Sequence, residues 1–479
     1  MLIIFETFKL IIITELFVST VKAELLKMKV KIFILGMISF LTASCQTFDD
    51  KIFKSSSSFS NNSNPDVYIT SQLNLSKIKP KYNEFTERNS NSNIKKAILA
   101  HPSHRKNIAS FEILKSNNKI AEAGLKPQIN FQGVGGLIRA DEKNNLGASG
   151  SVNLIKLIYD YGATEQAIKA QNERIKGAKF EIATQAETLA FLAYQVWINL
   201  TTQRKILDIY NSGINRAAPL VEKIDKISIS GVADSTMLLR ARKEYSETVV
   251  EMKKIEVLQN IAEVNFKDIF HLEKLGKIQP LKSIEVGSLK SLEIEMVKSS
   301  PAIKAKKSLI KSLKITRDSL VAQKNPNFSF RAGLNAPAEN TLKNSSGNVG
   351  FLMNYVYNDG GRLDAQIESA SNQIKFSELD LENFIKGLKA ELNTAYESYS
   401  GAKKTRKNLL KVIKISKDVR DNLNEQLSIG RAKLQDLLSA EVNLAKNEIL
   451  LINTEAEMIL SSYKIKSLST GIFPRFNWN

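Results

Sequence analysis

The chain has 479 residues and a formal net charge of +19, from 68 Lys and Arg against 49 Asp and Glu. With three His and one Cys, a disulfide framework and a His/Cys metal site are disfavoured, so we expect no metal and no cofactor. The basic residues are scattered along helical faces without a dense patch or interleaved aromatics. A lysine-biased composition therefore explains the charge better than nucleic-acid binding does.

A short basic stretch followed by an apolar run predicts a bacterial secretory signal near the start of the chain. The run Met28-Lys29-Val30-Lys31 supplies the charge, residues 32–41 are mostly apolar, and the small residues Thr42-Ala43-Ser44 follow. We predict a signal peptide over residues 1–44, with 28–44 as its functional part and the remainder as an upstream extension. Whether the chain starts at Met1 or at Met28 stays open.

Cys45, the single cysteine, comes directly after these small residues. This layout resembles the lipobox of bacterial lipoproteins, which implies cleavage before Cys45 and acylation of the cysteine. Thr42 departs from the pattern, since Leu is commonest there. A buried cysteine near an ordinary cleavage site and an uncleaved membrane anchor are the alternatives. By the same resemblance, Gln46 implies sorting to the outer membrane. No later apolar run reaches the roughly 18 residues of a membrane-spanning helix.

The segment after the cysteine predicts a leader and then a helix. Residues 45–92 are rich in Ser and Asn, which is typical of an extended or flexible segment. A helix is predicted from about Asn91 to Ala123, with Pro102 interrupting its start. The stretch Gly124-Leu125-Lys126-Pro127 ends that helix.

Alternating apolar residues then predict a β-hairpin. The apolar residues that share one face, before and after the polar loop 141–145, are Ile129, Phe131, Leu137, Leu146, Ala148, Val152 and Leu154. A period of two with one apolar face indicates half-buried strands. Their length of about ten residues suits a membrane-spanning strand. A hairpin from a soluble sandwich is the alternative for this element taken alone.

A helix of unusual length follows, predicted from Ala163 to about Ser228. Its apolar seam recurs every seven residues, as in a coiled coil, at Ile168, Ile175, Ile182, Leu189 and Val196. About 65 residues at ~1.5 Å each would extend over roughly 100 Å, which is rare in a compact domain. Pro219 is expected to kink or briefly interrupt the last turns.

The first half ends with a hinge and a returning helix. The hinge contains Gly231, and the returning helix is predicted from about Ser235 to Leu272. A mixed connecting segment is predicted over roughly 273–298.

The same plan then recurs at a constant spacing. Landmarks separated by 199 residues are the pairs Pro102 and Pro301, Pro127 and Pro326, and Gly231 and Gly430. A second seam at the same offset comprises Ile367, Ile374, Leu381, Leu388 and Ala395. Several landmarks at one offset predict an internal duplication. We assign the first unit to 93–298, the second unit to 299–472 and a C-terminal tail to 473–479.

The second hairpin is rich in aromatic residues. Its apolar members are Phe328, Phe330, Val349, Phe351, Met353, Tyr355 and Tyr357. We predict a turn that includes Asn344-Ser345-Ser346-Gly347, and a lipid-facing or aromatic-belt surface, with a soluble sheet core as the alternative. The second long helix is predicted from about Arg362 to Ser428.

Within one chain, the strands cannot pair all their edges and the long helices cannot bury their apolar seams. Four strands with one apolar face leave unpaired edges, which a membrane does not tolerate. Three chains would supply the strands of a twelve-stranded barrel, and the long helices would close a cylinder below it. The predicted fold is mainly α with a small β component, a duplicated helix–β-hairpin–long helix–helix unit. It forms a trimeric β-barrel continuous with an α-helical barrel.

Across roughly residues 91–472 the chain resembles the TolC-like outer membrane efflux proteins. The stretches that carry the resemblance are Ala100-His101-Pro102, Ala123-Gly124-Leu125-Lys126-Pro127, the two hinges at 229–239 and 429–438, and Tyr357-Asn358-Asp359-Gly360-Gly361-Arg362, which is similar to the family's "LFDGG" run. The resemblance implies a homotrimer in the bacterial outer membrane that extends into the periplasm. It also implies a periplasmic adaptor and an inner-membrane pump or ABC exporter as partners.

The resemblance also suggests functional residues at the hinges. In the family, acidic residues after the second hinge constrict the periplasmic mouth. Asp436 matches the first of them, whereas the second falls on Ser439, so that part of the ring is absent. Arg431 is a candidate partner for acids that hold the helix tips closed. The alternatives are an ordinary Asp in a helix first turn and a solvated Arg.

The hinge turns are the expected docking surface for the adaptor. The residues concerned are Gly231, Val232, Ala233, Gly430, Arg431 and Ala432. Glycine at these turns suits a backbone with positive φ.

No nucleophile–base pair, phosphate loop or metal-ligand spacing occurs, so we predict no enzyme. The predicted function is a passive outer-membrane channel-tunnel for efflux or type I secretion, with its cargo left open. The alternative is a periplasmic coiled-coil adaptor or scaffold lipoprotein. Two amphipathic hairpins at matching positions argue against that alternative.

Overall fold

The structure is a computed structural model, and it describes residues 90–140, 143–229, 235–336 and 346–473. The predicted signal peptide, Cys45, nearly all of the leader, residues 230–234 of the first hinge and most of the tail lie outside these ranges. The described helices are α1 (Ser90–Ala100), α2 (Pro102–Ala123), α3 (Ala163–Ile229), α4 (Ser235–Phe270), α5 (Leu289–Ser299), α6 (Pro301–Ala322), α7 (Arg362–Ser428) and α8 (Leu434–Ser469). The described strands are β1 (Gln128–Ala140), β2 (Lys143–Tyr159), β3 (Asn327–Ala336) and β4 (Ser346–Asn354).

Proline has different effects at two helix positions. At Pro102 the predicted helix divides into α1 and α2, because His101 adopts an extended conformation and its Nδ1 accepts a hydrogen bond from the Ser103 amide at 3.2 Å. Pro102 thus starts a new helix, where its missing N–H costs little. Pro219, in contrast, lies inside a continuous α3 of 67 residues, so the predicted interruption does not occur.

The helix boundaries in the two halves match with one offset. Each of α5, α6, α7 and α8 begins and ends 199 residues after its counterpart among α1, α2, α3 and α4. The seam positions predicted for α3 and α7 are all buried or half-buried. Heptad spacing therefore identified the packed face of both long helices.

The four strands form one antiparallel sheet in the order β1-β2-β3-β4. The central pair joins a strand from each half, and β1 and β4 are the edges. β2 has 17 residues and exceeds the expected length. β4 includes Ser346 and Gly347, which were predicted to lie in the turn, and it ends at Asn354, so Tyr355 and Tyr357 follow the strand. These two boundaries of the second hairpin were predicted incorrectly.

The two long helices have different surroundings. α3 contacts α1, α2, α4, α6 and α8, whereas α7 contacts α5, α6 and α8. The apolar core beside α3 includes Trp197, whose ring lies 5.6 Å from each of Phe266 and Phe270. The Trp197 indole also donates to the Gln279 carbonyl at 2.8 Å, which holds the non-helical segment 271–288 against α3. None of the helices in the described ranges is long and apolar enough to cross a membrane.

Candidate functional surfaces at the helix tips and the sheet

The turn between α7 and α8 is a glycine-terminated helix end. Gly430 has φ +75°, and its amide donates to the Leu427 carbonyl at 3.1 Å. The Arg431 amide donates to the Gln426 carbonyl at 2.8 Å. These two bonds form a Schellman motif, which satisfies carbonyls at the end of α7 and needs a left-handed residue at Gly430. The turn residue predicted from the sequence therefore has the expected backbone.

Asp436 lies in the first turn of α8 and is exposed. Arg431 is also exposed, and neither side chain forms an ion pair within the described residues. Met237, which lies 199 residues earlier than Asp436, is half-buried and packs against an apolar cluster. The two halves thus differ at this position, with an exposed carboxylate in one and a packed thioether in the other.

The Ser439 side chain is half-buried and hydrogen-bonded. Its hydroxyl donates to Glu244 Oε2 at 3.1 Å, and the Gln435 side-chain amide donates to the same oxygen at 3.0 Å. Glu244 belongs to α4, so these bonds connect the returning helices of the two halves. Sequence reasoning had considered Ser439 only as the position of a missing acid. Its observed partner is a carboxylate from the other half.

Glu441 is a buried acid that the sequence did not single out. It is 7% exposed, and its Oε2 accepts from Arg216 Nε at 2.7 Å. Its Oε1 lies 3.9 Å from Arg420 Nε. The carboxylate of α8 therefore connects α3 and α7. An apolar cluster that includes Leu434 and Leu438 lies nearby on the same helix.

The six residues expected to dock an adaptor are only partly described. Gly430 and Arg431 are exposed and Ala432 is half-buried. Gly231, Val232 and Ala233 lie outside the described residues, so their arrangement stays a prediction. The same holds for acylation of Cys45.

The sheet has one apolar and one polar face. The apolar face carries Ile129, Phe131, Val152, Leu154, Phe328, Phe330, Leu334, Val349, Phe351 and Met353. Much of this face is exposed, including Phe351 at 79%. The opposite face is mostly polar and carries Asn130, Gln132, Ser149, Ser151, Asn153, Ser329, Arg331, Asn335 and Asn348, together with the apolar residues Val134, Ile155, Leu157 and Leu352. The sheet thus separates apolar side chains on one face from mostly polar side chains on the other.

The strand-to-helix junctions are built the same way in both halves. Asp160 accepts from the amides of Gly162 at 3.1 Å and Thr164 at 2.8 Å. Asp359 accepts from the corresponding amides of Gly361 at 3.1 Å and Leu363 at 2.9 Å. Each Asp caps the N-terminus of a long helix and each glycine has positive φ. These caps fix the direction in which α3 and α7 leave the sheet.

Apolar side chains are exposed along helices at both edges of the helical layer. On α7 they are Phe376, Leu379, Leu410, Val412, Ile415 and Val419. On α4 they are Leu239, Val250, Val257, Leu258, Ile261 and Val264. Exposed apolar side chains repeated along one helix are typical of surfaces that bind a partner.

Neither a protein-family model nor a curated protein matches the sequence. Solved structures do match in fold. CusC, studied for transmembrane channel formation, aligns with TM-score 0.73 and 13% identity over 82% of this chain and 96% of its own. The CmeC outer membrane channel of Campylobacter jejuni aligns with TM-score 0.70 and 13% identity over 82% and 90%. The outer membrane protein VceC of Vibrio cholerae aligns with TM-score 0.70 and 14% identity over 80% and 96%.

The chain therefore has the fold of the TolC-like outer membrane channels. The resemblance found in the sequence is confirmed at the level of the fold. The three structures are described as a channel or as an outer membrane protein, and none as an enzyme.

Proposed function

We propose that the protein is a passive channel-tunnel of the bacterial outer membrane and not an enzyme. The observation that carries the proposal is the two-faced sheet with unpaired edges β1 and β4. Its apolar face suits lipid and its polar face suits water, as in outer-membrane barrels. A single four-stranded sheet leaves two edges open, so further strands must come from other chains.

Three copies related by a rotation axis would satisfy both kinds of edge. β4 of one copy would pair with β1 of the next, giving a twelve-stranded barrel. The exposed stripe on α7 would meet the exposed stripe on α4 of the neighbouring copy, closing a helical barrel that extends into the periplasm. Such a head-to-tail contact closes into a ring when the rotation allows it. The matching helix boundaries support a duplicated unit, in which the second copy would begin at about Leu289 rather than at the expected 299.

The proposed channel serves as the exit duct of a tripartite efflux or type I secretion system. Its partners are a periplasmic adaptor, docked at the hinge turns, and an inner-membrane pump or ABC exporter. The predicted signal and the lipobox-like Cys45 fit export and outer-membrane anchoring. An adaptor or scaffold role is the weaker alternative, because it gives no use to the exposed apolar face of the sheet.

The direct experiment is to isolate outer membranes from expressing cells and to compare heated and unheated samples by electrophoresis. We expect a heat-modifiable trimer that opens ion channels when the purified protein is added to planar lipid bilayers. A soluble periplasmic monomer or dimer without channel activity would overturn the proposal.

We propose further that Asp436 forms a charged ring at the closed end of the trimer. Three carboxylates near one axis favour cations, as acidic rings do in other channels. Asp436→Ala should raise single-channel conductance and weaken block by multivalent cations. Asp436→Glu, which keeps the charge, should retain the block. Unchanged conductance and block in Asp436→Ala would remove this residue from the gate.

A further inference from the structure

The polar face of the sheet carries a single kind of charge. Among the strand residues whose side chains the structure describes, Arg331 is the one charged residue on that face. Its register partners are Ile155 on β2 and Gly350 on β4. It is exposed, and its side chain has no ion pair or hydrogen bond within the described residues. Its guanidinium is therefore available to a mobile solute.

Nothing in the four strands opposes this charge. The sequences of β1, β2, β3 and β4 contain no Asp and no Glu. The hairpin ends add no net charge, since 137–148, which includes the ends of β1 and β2, holds two basic and two acidic residues, and 337–345 holds one of each. The strands themselves therefore carry a positive charge.

The surroundings of Arg331 are uncharged and mostly polar, although its register partner Ile155 and the nearby Val134 are apolar. A cavity of about 420 Å³ on the polar face is lined by Arg331 together with Gln132, Ser151, Asn153, Asn335 and Asn348. Amide N–H₂ groups and hydroxyls donate hydrogen bonds to anions, and an arginine supplies up to five donors. The chemistry of this lining is thus suited to small anions.

We propose that the polar face of the sheet is an anion-selective lining and that Arg331 determines its selectivity. The inference rests on the proposed function, because in a three-copy barrel three Arg331 side chains would lie at one level of the pore. Rings of basic side chains favour anions in pores. The barrel and the closed end would then have opposite preferences, with Arg331 at one level and Asp436 at the other. The attraction is electrostatic, so it weakens as ionic strength rises.

The sheet supplies a matched control. Lys156 carries the same charge on the neighbouring strand, where it pairs in register with Phe330. That pairing places Lys156 on the apolar face, one position along from Arg331 and outside the proposed pore. Removing either residue changes the net charge equally, but only Arg331 lines the polar face.

The test measures the reversal potential of single channels in planar bilayers under a KCl gradient, in wild type and in an Asp436→Ala background that removes the acidic ring. We expect Arg331→Gln to lower the chloride-to-potassium permeability ratio several-fold, and Arg331→Glu to lower it further. Arg331→Lys should keep the wild-type ratio and Lys156→Gln should not change it. In both backgrounds, substitution of Arg331 should change the permeability ratio more at low salt than at high salt.

Two failures can be told apart. If the wild-type trimer opens no channels, the proposed function itself is contradicted. If channels open and the ratio is the same in wild type, Arg331→Gln and Arg331→Glu, the role of Arg331 is overturned while the channel stands. An equal effect of Lys156→Gln would also overturn it, since net charge alone would then explain the change.

Discussion

Single residues that connect distant parts of the chain hold the helical layer together. Glu441 is separated from Arg216 by 225 residues in sequence, yet their side chains are 2.7 Å apart. A buried carboxylate is costly unless it is paired, and here it contacts arginines on both long helices. Glu187 likewise connects α3 with the C-terminal segment. Both acids are buried and join distant segments, so their contributions to stability can be measured by substitution.

Glu441→Gln should loosen the helix tips. The substitution removes the charge that Arg216 and Arg420 share, and breaking a buried pair costs roughly 3 kcal/mol. We expect a lower thermal midpoint and faster protease cleavage between α7 and α8. Glu448→Gln is the control, because Glu448 lies on the same helix and pairs with Lys417 at 3.4 Å near the surface. Exposed pairs contribute about 1 kcal/mol or less. Equal effects of the two substitutions would contradict a special role for Glu441.

Glu187 makes the C-terminal segment sensitive to pH. Its carboxylate accepts from the amides of Ile472 at 2.8 Å and Phe473 at 3.1 Å. Burial outweighs these two hydrogen bonds and the nearby Lys466, and raises the pKa of Glu187 to about 7. The folded-state pKa of Glu187 lies above its unfolded value. Its contribution to the free energy of unfolding is therefore most favourable below about pH 4.5 and is lost as pH rises through about 7.

We therefore expect the stability of wild type to fall relative to Glu187→Gln between about pH 5 and pH 8. Each pKa unit corresponds to about 1.4 kcal/mol, so the difference is at most about 3 kcal/mol per chain. Thermal midpoints measured across this range provide the test. Glu181→Gln, at an exposed position of the same helix, should run parallel to wild type. If the thermal midpoints of wild type and Glu187→Gln changed equally with pH, the raised pKa of Glu187 would be contradicted.

At the scale of elements, the turn that ends α7 requires glycine for conformational reasons alone. A Cβ added at Gly430 would meet no atom within 4 Å, but its φ of +75° is unfavourable for other residues. Gly430→Ala should therefore destabilise the protein by about 1 kcal/mol. Gly401 lies inside α7 with equally open space. Gly401→Ala should stabilise the protein by up to about 1 kcal/mol, because alanine is the better helix former. A lower thermal midpoint for Gly430→Ala and a higher one for Gly401→Ala would confirm both statements. A lower midpoint in both variants would contradict them.

The sequence predicted the helices and strands well, but it did not predict the side-chain contacts between them. Proline, glycine and heptad signals are local, so they placed the starts of α3 and α7 correctly and identified both seams. The end of β4 was missed because Tyr355 and Tyr357 continue the apolar alternation beyond the last hydrogen-bonded pair. The pairs of Glu441 with Arg216 and of Ser439 with Glu244 join residues that are far apart in sequence. No periodic pattern contains that information, since it depends on which helices become neighbours.

At the scale of the whole molecule, the proposed assembly depends on the two edges of the helical layer. α3 is covered on both sides by helices of its own chain, whereas α7 and α4 keep apolar stripes exposed. Val257 on α4 is 57% exposed and Ile415 on α7 is 61% exposed. In a ring of three copies each stripe would bury the other. The edges of the sheet and the edges of the helical layer would then close in the same step.

Val257→Glu and Ile415→Glu should each weaken the trimer. Burying a carboxylate without a partner in an apolar contact costs several kcal/mol, and the ring repeats that cost at three interfaces. Val257→Ala removes apolar area without adding a charge, so it should leave the trimer assembled. Native mass measurement of the purified protein in detergent, with unheated electrophoresis, distinguishes these outcomes. Because both residues are exposed in the single chain, the folding of each protomer should be little affected, and circular dichroism would verify this. Trimers that persist in both glutamate variants would show that these stripes face solvent, and the ring would then need a different contact surface.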